Sequence, residues 1–285
     1  MRLDDVPVAE RLSARAFLSV DLVDHRAGTP APQPRSVSRG ERWMARTASF
    51  LDTDAGGCWV AEDDAGMAGF ATAVTRELMW LLSTYAVRPD AQGAGIGRQL
   101  LDAALHHGRG CLRGMLASSS DPRAFRRYRH AGFTLHPQLV AEGEVVRSEI
   151  PVIEKVREAG LSDRDLMDSV DRQTRGAAHG GDHRLLALQG RPLVCDAATG
   201  SGYVYVDPTG SAVALAATNR RTATELLWAA LAESSGPVRL AHITAANQWA
   251  VDVALAARLS IRTEGYLGVR AMNPPAPYLH NGGLL

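Results

Sequence analysis

A short glycine-rich stretch between a strand and a helix constrains the fold of this chain more than any other feature. Residues 87–98 read VRPDAQGAGIGR and overlap the end of the apolar run LMWLLSTYAV at residues 78–87, which predicts a central strand covered on both faces. Pro89 ends that strand. One helical stripe then follows, formed by Ile96, Leu100, Leu101, Ala104 and Leu105. The stretch is therefore a loop that leads from a strand into a helix.

Such a loop predicts an anion site. Gly93, Gly95 and Gly97 leave backbone N–H groups uncovered, and the helix dipole adds positive potential, so a phosphate can bind without a basic side chain. A Walker loop ends in Gly-Lys-Ser/Thr, whereas Arg98 and Gln99 follow Gly97 here. A dinucleotide loop has G-x-G-x-x-G within a parallel βαβ unit, whereas these glycines follow a predicted antiparallel meander. Both nucleotide-binding families are disfavoured.

The predicted elements around the loop follow a regular order. Two helices come first, and three strands form the antiparallel meander before the loop. After the loop helix, a further strand leads to Asp121, an N-cap residue, and to a helix that carries Tyr128 and ends at Gly132 and Phe133. The predicted bounds are residues 5–18 and from residue 39 for the first two helices, and 58–62, 67–76, 78–87 and 114–118 for the strands.

The pattern Q-x-x-G-x-G resembles the acetyl-CoA pyrophosphate loop of the GNAT superfamily, and the element order over about residues 5–140 is similar to that fold. The resemblance implies an N-acetyltransferase that moves an acetyl group from acetyl-CoA to an amine by direct attack. It also implies that Tyr128, which precedes Gly132 by four residues, is the general acid for the cofactor sulfur. The implied cofactor-binding residues are Tyr85 and Val87 along the pantetheine arm, and Gln92, Gly93, Ala94, Gly95, Ile96, Gly97, Arg98 and Asp121 around the phosphates.

Two departures from the family pattern concern the chemistry. The strand at residues 78–87 contains no carboxylate, although many relatives use an acid there as general base, and the adjacent Glu77 reads as a turn residue. Asp121 stands where the family often has Asn, and a carboxylate near phosphates is less welcome. The missing base keeps a second interpretation open, a noncatalytic acyl-CoA-binding sensor or interaction module. Transfer of a longer acyl chain is also open.

The second half of the chain repeats the first at an offset of 126 residues. Leu226 repeats Leu100, since 226 − 100 = 126, and Asn247 falls at the position of the N-cap Asp121. At this offset Gln92, Gly95, Gly97, Tyr128 and Gly132 become Thr218, Arg221, Ala223, Ala254 and Arg258. The sequence therefore predicts an α/β (α+β) protein of two tandem GNAT-like domains, each a mixed, mostly antiparallel sheet flanked by helices. Residues 1–148 form the acetyl-CoA-binding domain, and residues 149–285 form a degenerate copy without a CoA loop.

Composition narrows the possible partners. The 31 basic and 31 acidic residues cancel, so neither nucleic acid nor an acidic membrane surface is an expected partner. No run approaches the roughly 18 apolar residues that span a bilayer. Three widely spaced cysteines suit a reducing cytoplasm, where we expect the protein as a monomer or homodimer. The arginines of the Tyr128 helix are interpreted as a solvated face, and they are Arg123, Arg126, Arg127 and Arg129.

Three further expectations concern the metal, the acceptor and the chain end. His179 and His183 are four apart, but Gly180 and Gly181 between them argue against a helical metal site, so no metal is predicted. The acceptor is expected to be a small-molecule or peptide amine, selected partly by residues 24–40. The apolar tail NPPAPYLHNGGLL is expected to dock on protein and to offer the missing base, from Tyr278, His280 or Leu285.

Overall fold

The computed structural model describes residues 1–25 and 31–285, which divide into two compact units, Met1–Phe133 and Thr134–Leu285. The predicted acceptor loop at residues 24–40 therefore lies partly outside the described residues. The boundary at residue 148 between two functional domains stays a prediction. Residue 148 itself lies in a short 3-10 helix, Arg147–Glu149.

The N-terminal unit contains a four-stranded run of sheet in the order β1-β2-β3-β4. The first three strands are antiparallel, as the predicted meander requires. The third and fourth strands, β3 and β4, pair in parallel. The predicted strand bounds are confirmed to within a few residues. The elements are α1 (Val6–Asp24), α2 (Val37–Thr53), β1 (Cys58–Asp63), β2 (Gly66–Arg76), β3 (Met79–Val87), α3 (Ile96–His107), β4 (Arg113–Ser118) and α4 (Pro122–His130).

Burial explains why these segments form these elements. In β3 the residues from Met79 to Leu82 are all buried, which agrees with the near-continuous apolar run of a strand covered on both faces. In α3 the buried residues are Gly97, Leu100, Leu101 and Ala104, the stripe that the periodicity predicts. The N-terminus of α4 is capped by Asp121, whose side chain accepts a hydrogen bond from the Arg123 N–H.

The C-terminal unit contains two sheets. In one, β5 pairs antiparallel with β10 and with β11. The other is five-stranded in the order β12-β9-β8-β7-β6 and entirely antiparallel. The elements are β5 (Thr134–Gly143), β6 (Val156–Glu158), α5 (Arg164–Thr174), α6 (His183–Ala187), β7 (Arg191–Ala197), β8 (Gly200–Val206), β9 (Ala212–Ala217), α7 (Arg220–Ala232), β10 (Val238–Thr244), α8 (Gln248–Ala256), β11 (Ser260–Arg270) and β12 (Tyr278–Leu279).

The predicted internal repeat is present in the order of elements. Two helices, three antiparallel strands, a helix, a strand, a helix and a strand follow one another from α1 to β5 and again from α5 to β11. The helices α4 and α8 start at residues 122 and 248, which are 126 apart, as predicted. The predicted fold class, a mixed α/β chain with two copies of one pattern flanked by helices, is confirmed.

The repeat breaks at the loop, and in a different way from the predicted substitutions. In the N-terminal unit, residues 88–95 connect β3 to α3, whereas Thr218 and Asn219 alone connect β9 to α7. Arg221 and Ala223 lie in the first turn of α7, and the Asn219 side chain caps that helix. The second copy has therefore lost most of the connection, and the glycines have no counterparts to be replaced.

Asn247 is a second correction. It precedes α8 as predicted, but its side chain makes no cap hydrogen bond. Its amide group instead donates to the Pro275 carbonyl at 3.0 Å, and its oxygen accepts the Tyr278 N–H at 2.9 Å. The short polar side chain therefore holds the C-terminal segment against the unit.

Candidate active site

The candidate site opens where β3 and β4 separate. Their parallel pairing runs from Met79 opposite Arg113 to Leu82 opposite Leu116, while β3 continues to Val87. The register of β3 against β2 shifts just after Leu82, so that Ser83 forms a bulge. A cavity of about 510 Å³ lies beyond this point, lined by α1, the end of β3, the glycine loop, the end of β4 and α4. All of its lining residues belong to the N-terminal unit.

The backbone at the end of β3 presents donors to this cavity. The Arg88 N–H donates to the Ala68 carbonyl of β2 at 2.8 Å. Because the N–H groups of an antiparallel strand alternate between its two edges, those of Tyr85 and Val87 point to the opposite edge, where β4 no longer pairs. Both residues line the cavity. The two positions that the resemblance implies for the pantetheine arm are thus at its wall.

The glycine loop leaves its backbone donors uncovered. Gly93 and Gly95 have φ values of 92° and 88°, which side-chain-bearing residues rarely adopt. At Gly97 a Cβ atom would lie 2.3 Å from the Tyr85 hydroxyl oxygen, so this position admits only glycine without a shift. Among the described residues, no backbone carbonyl accepts a hydrogen bond from the N–H groups of Gly93, Gly95, Ile96 or Gly97. They lie at the N-terminus of α3, where the helix dipole favours an anion.

Two predicted loop residues act mainly through other contacts. The Gln92 amide donates to the Val87 carbonyl at 3.1 Å, and its oxygen accepts a hydrogen bond from Arg123, so this side chain fastens the loop between β3 and α4. The Arg98 N–H already donates to the Gly95 carbonyl at 3.0 Å in the first turn of α3. Ala94 and Ile96 contribute the backbone between the glycines.

The charge of Asp121 is offset by its neighbour. Its carboxylate caps α4 and pairs with the Arg123 guanidinium at 2.9 Å. Burial raises the pKa of Asp121, but the hydrogen bonds from Arg123 outweigh this effect and hold the pKa below its ordinary value. Arg126 and Arg127 also line the cavity. The arginines of α4 are therefore partly a wall of the site, and only partly a solvated face.

Tyr128 lies in the same cavity and is almost fully buried, with 4% of its surface exposed. Its ring packs edge-on against Tyr85, with 6.3 Å between ring centroids. Against the larger effect of burial, Ser118 lowers the pKa of Tyr128 only slightly, and the Ser118 hydroxyl donates to the Ser119 carbonyl at 2.8 Å. Burial raises the pKa of Tyr128 well above its ordinary value, and it raises the pKa of Tyr85 to about 12. Both phenols are protonated at neutral pH.

A comparison with protein families decides what this arrangement belongs to. Residues 54–135 match the family model of the acetyltransferase (GNAT) domain. These residues form a GNAT domain. The match spans the meander, the glycine loop, β4 and the Tyr128 helix, the elements that surround the cavity.

Several solved structures have the same fold as this chain. An assigned acetyltransferase from Pyrococcus horikoshii has a TM-score of 0.71 at 18% identity, over 100% of this chain and 93% of that one. A GCN5-related N-acetyltransferase from Sphaerobacter thermophilus has a TM-score of 0.60 at 13% identity, over 96% and 95% of the two chains. One from Kribbella flavida has a TM-score of 0.59 at 15% identity, over 94% and 70%. No curated protein matches the chain.

The GNAT domain has no carboxylate on β3, as the sequence indicates. Glu77 lies in the β2–β3 turn with φ of 51°, at the opposite end of β3 from the glycine loop. Of the described residues that line the cavity, Asp121 alone carries a carboxylate. None of the helices among the described residues is both long and apolar enough to cross a membrane.

Two polar residues of the GNAT domain were not identified from the sequence. Ser83 lines the cavity, and its buried hydroxyl has no hydrogen-bond partner in the described part of the chain. Ser118 lines the same cavity as Tyr128. A serine inside an otherwise apolar strand is a signal for a polar role, but its direction depends on the bulge, which periodicity does not reveal.

The predicted base in the C-terminal tail is not supported by the position of the tail. Tyr278, His280 and Leu285 are all buried within the C-terminal unit. The His280 ring is hydrogen-bonded to the Gln138 side chain and stacks on His242 with 4.2 Å between ring centroids. The tail docks on protein, as predicted, but these side chains are buried inside their own unit.

Proposed function

We propose that the GNAT domain transfers an acetyl group from acetyl-CoA to an amine by direct attack of the amine on the thioester. One observation carries this proposal: Gly93 and Gly97 of the glycine loop line the same cavity as the buried Tyr128. An anion cradle and a proton donor in one cavity suit a substrate with a pyrophosphate at one end and a thioester at the other.

The cofactor is proposed to bind along the open edge of β3. Its pyrophosphate accepts hydrogen bonds from the backbone between Gly93 and Gly97, supported by the α3 dipole and by the arginines of α4. Its pantetheine arm takes the Tyr85 and Val87 N–H groups that β4 leaves unpaired. The unpartnered Ser83 hydroxyl is then available to the ligand near the thioester. This arrangement accounts for each of these unpaired donors.

The reaction needs one proton donor and one proton acceptor. The amine nitrogen attacks the carbonyl carbon, a C–N bond forms, and the tetrahedral intermediate collapses with loss of the C–S bond. Tyr128 donates its proton to the departing sulfur, and its ring is held by packing against Tyr85. The amine proton leaves to water, because Asp121 is already paired with Arg123. The rate should therefore depend on the fraction of amine that arrives uncharged.

The acceptor is proposed to be a small-molecule or peptide amine with an apolar part. Ala16, Phe17 and Val20 of α1 form an apolar wall of the cavity. Burying such a wall against an apolar group contributes about 25 cal/mol per Å² of area removed from water. Screening amines of graded hydrophobicity would identify the class.

Release of free CoA from acetyl-CoA in the presence of an amine panel tests the proposal. Multiple turnovers with at least one amine are expected, and Tyr128→Phe should retain cofactor binding while losing most of this turnover. Tight binding of acetyl-CoA with no turnover over the whole panel would favour the noncatalytic sensor instead. Repeating the assay with longer acyl-CoA thioesters decides the acyl preference.

A further inference from the structure

A compact group of histidine and carboxylate side chains lies in the C-terminal unit, outside the proposed catalytic site. Asp171 belongs to α5, His183 begins α6, and His179 lies just before the short helical turn between them. All three side chains are fully buried, and one possible ligand atom from each lies within 4.8 Å of the others. This group is called the histidine cluster below.

Two ring nitrogen atoms of the histidine cluster lack a hydrogen-bond partner within residues 1–25 and 31–285. Among the described residues, the Nε2 atoms of His179 and His183 are buried and have no hydrogen-bond partner. An imidazole with one ring proton has a lone pair on its other ring nitrogen, which can bind a metal ion. Buried polar atoms in native proteins nearly always have a partner, and an unpartnered one needs an explanation.

The second ring nitrogen of His183 is held in place by a neighbouring phenol. Its Nδ1 lies 3.0 Å from the Tyr205 hydroxyl, which fixes the ring and directs Nε2 to the cluster. A metal-binding histidine is typically oriented in this way through its other nitrogen. Tyr203 does the same for the carboxylate, because its hydroxyl donates to Asp171 Oδ1 at 2.5 Å.

The distances around His183 match a metal coordination shell. Its Nε2 lies 3.5 Å from Asp171 Oδ2 and 3.2 Å from Asp168 Oδ1, without hydrogen-bond geometry. Ligands of a tetrahedral zinc ion at roughly 2.0–2.2 Å from the metal are about 3.3 Å apart. The two contacts are too poorly aligned to be hydrogen bonds. Their N···O distances are close to the distance between two ligand atoms of one zinc ion.

We propose that the histidine cluster binds one zinc ion through Asp171, His179 and His183. The His179 Nδ1 lies 2.7 Å from Asp171 Oδ2, which is a hydrogen bond. The ion takes the place of the proton between these two atoms, and the pair separates by about 0.6 Å to the ligand spacing. The ion is then the partner of His183 Nε2, whereas His179 Nε2 carries the hydrogen of the neutral ring. The Asp168 and Asp171 carboxylates offset the charge of the ion.

This inference reverses the argument made from the sequence. Gly180 and Gly181 do prevent one helix from carrying both histidines. They also allow the tight turn Gly180–Asp182, in which Gly180 has φ of 55°, and this turn brings His179 and His183 together with 5.3 Å between ring centroids. The three proposed ligands are fully buried, so a structural role is assigned to the ion, independent of acetyl transfer.

Refolding is the appropriate test, because side chains with no exposed surface admit an ion only as the unit folds. Untagged protein is refolded from denaturant with zinc or with EDTA and then dialysed, and bound metal is counted by mass spectrometry. We expect about one zinc per chain and a higher melting temperature for the zinc-refolded protein. Refolding with cobalt should give the visible bands of a tetrahedral cobalt site.

His183→Gln should lose the zinc, while His106→Gln, a change at an exposed histidine at the end of α3, should retain it. Wild-type protein that holds no more zinc than His183→Gln after this treatment would overturn the proposal. If His183→Gln fails to fold, the wild-type protein still decides. Equal melting temperatures after zinc and EDTA refolding, with no retained metal, leave a hydrogen-bonded network only.

Discussion

At the scale of single residues, burial decides the chemistry of the titratable side chains. Tyr128 keeps its proton because its phenolate would lose solvation in the cavity wall, which raises the pKa of the phenol. Asp121 keeps its charge, although partly buried, because Arg123 is bound to it. Burial therefore leaves Tyr128 neutral, whereas the ion pair with Arg123 keeps Asp121 charged in the same cavity.

Tyr128→Phe tests the proton donor. The variant keeps the ring that packs against Tyr85 and removes only the hydroxyl, so folding and acetyl-CoA affinity should change little. We expect kcat to fall by roughly 100-fold, the lower end of the range for general acid catalysis. The checks are steady-state kinetics and calorimetric titration with acetyl-CoA. A variant with unchanged kcat excludes Tyr128 as the acid, and one that fails to bind the cofactor assigns it a packing role.

His280 predicts loss of stability in acid. Burial lowers its pKa to about 4, from an ordinary value near 6.5 in the unfolded chain. The unfolded state therefore takes up the proton first, so this stabilisation is complete above about pH 6.5 and is lost as the pH falls towards about 4. The shift corresponds to about 3 kcal/mol. Denaturant unfolding of wild type and His280→Gln between pH 7.5 and 4.5 measures it, and identical slopes against pH would contradict the assignment.

At the scale of elements, the strand, loop and helix around residues 79–107 could be predicted because local patterns dictate them. The apolar run of β3, the proline stop and the buried stripe of α3 need no distant contact to be recognised. The bulge at Ser83 could not be predicted, because it depends on the register of β3 against β2. The cavity follows from that register and from the end of β4, so its wall was predictable only in part.

Gly95→Ala tests the loop as an anion cradle, with Gly66→Ala as a matched control. Both glycines have positive φ, 88° and 99°, and neither has an atom within 4 Å of the added Cβ. Each variant should therefore lose about 1–2 kcal/mol of stability from backbone strain. Only Gly95→Ala should weaken acetyl-CoA binding, because it distorts the donors at the start of α3. Equal affinities in calorimetry would place the pyrophosphate elsewhere.

The connection between β9 and α7 predicts one bound CoA per chain. Thr218 and Asn219 span a gap that takes residues 88–95 in the N-terminal unit, and Asn219 already accepts the Thr222 N–H. The donors at the start of α7 are therefore fewer and partly used. Equilibrium dialysis with labelled acetyl-CoA should saturate at about one equivalent. Saturation at two equivalents would require a second cradle in the C-terminal unit.

At the scale of the whole molecule, the repeat was visible in the sequence because its helices keep their apolar spacing. The place where the second copy departs from the first was not visible. A fixed offset of 126 residues aligns α4 with α8, but it does not reveal that the connection before α7 is shorter. Contacts distant in sequence were also hidden. Asn247 bonds to Pro275 and Tyr278, and Asp171 meets Tyr203, pairings that no local pattern encodes.

Removing residues 279–285 tests the role of the tail. Leu279 pairs with β9, Leu284 and Leu285 are buried, and their carbonyl groups accept hydrogen bonds from the buried Arg175. Without them the Arg175 charge loses two partners in an apolar environment, which costs about 3–5 kcal/mol. The truncated protein should melt far lower, with Leu284→Ala intermediate. A truncated protein with normal melting and reduced turnover would instead restore the predicted catalytic tail.

The separation of β3 from β4 has a further consequence for the empty enzyme. Beyond Leu82, none of the described strands pairs with β3 on its β4 side. Unpaired backbone groups of a strand can form hydrogen bonds with another extended chain. A pantetheine arm bonded to Tyr85 and Val87 would act as a removable strand that completes the sheet. A bound cofactor would then stabilise the folded protein, because it would give these backbone groups the partners that a neighbouring strand provides.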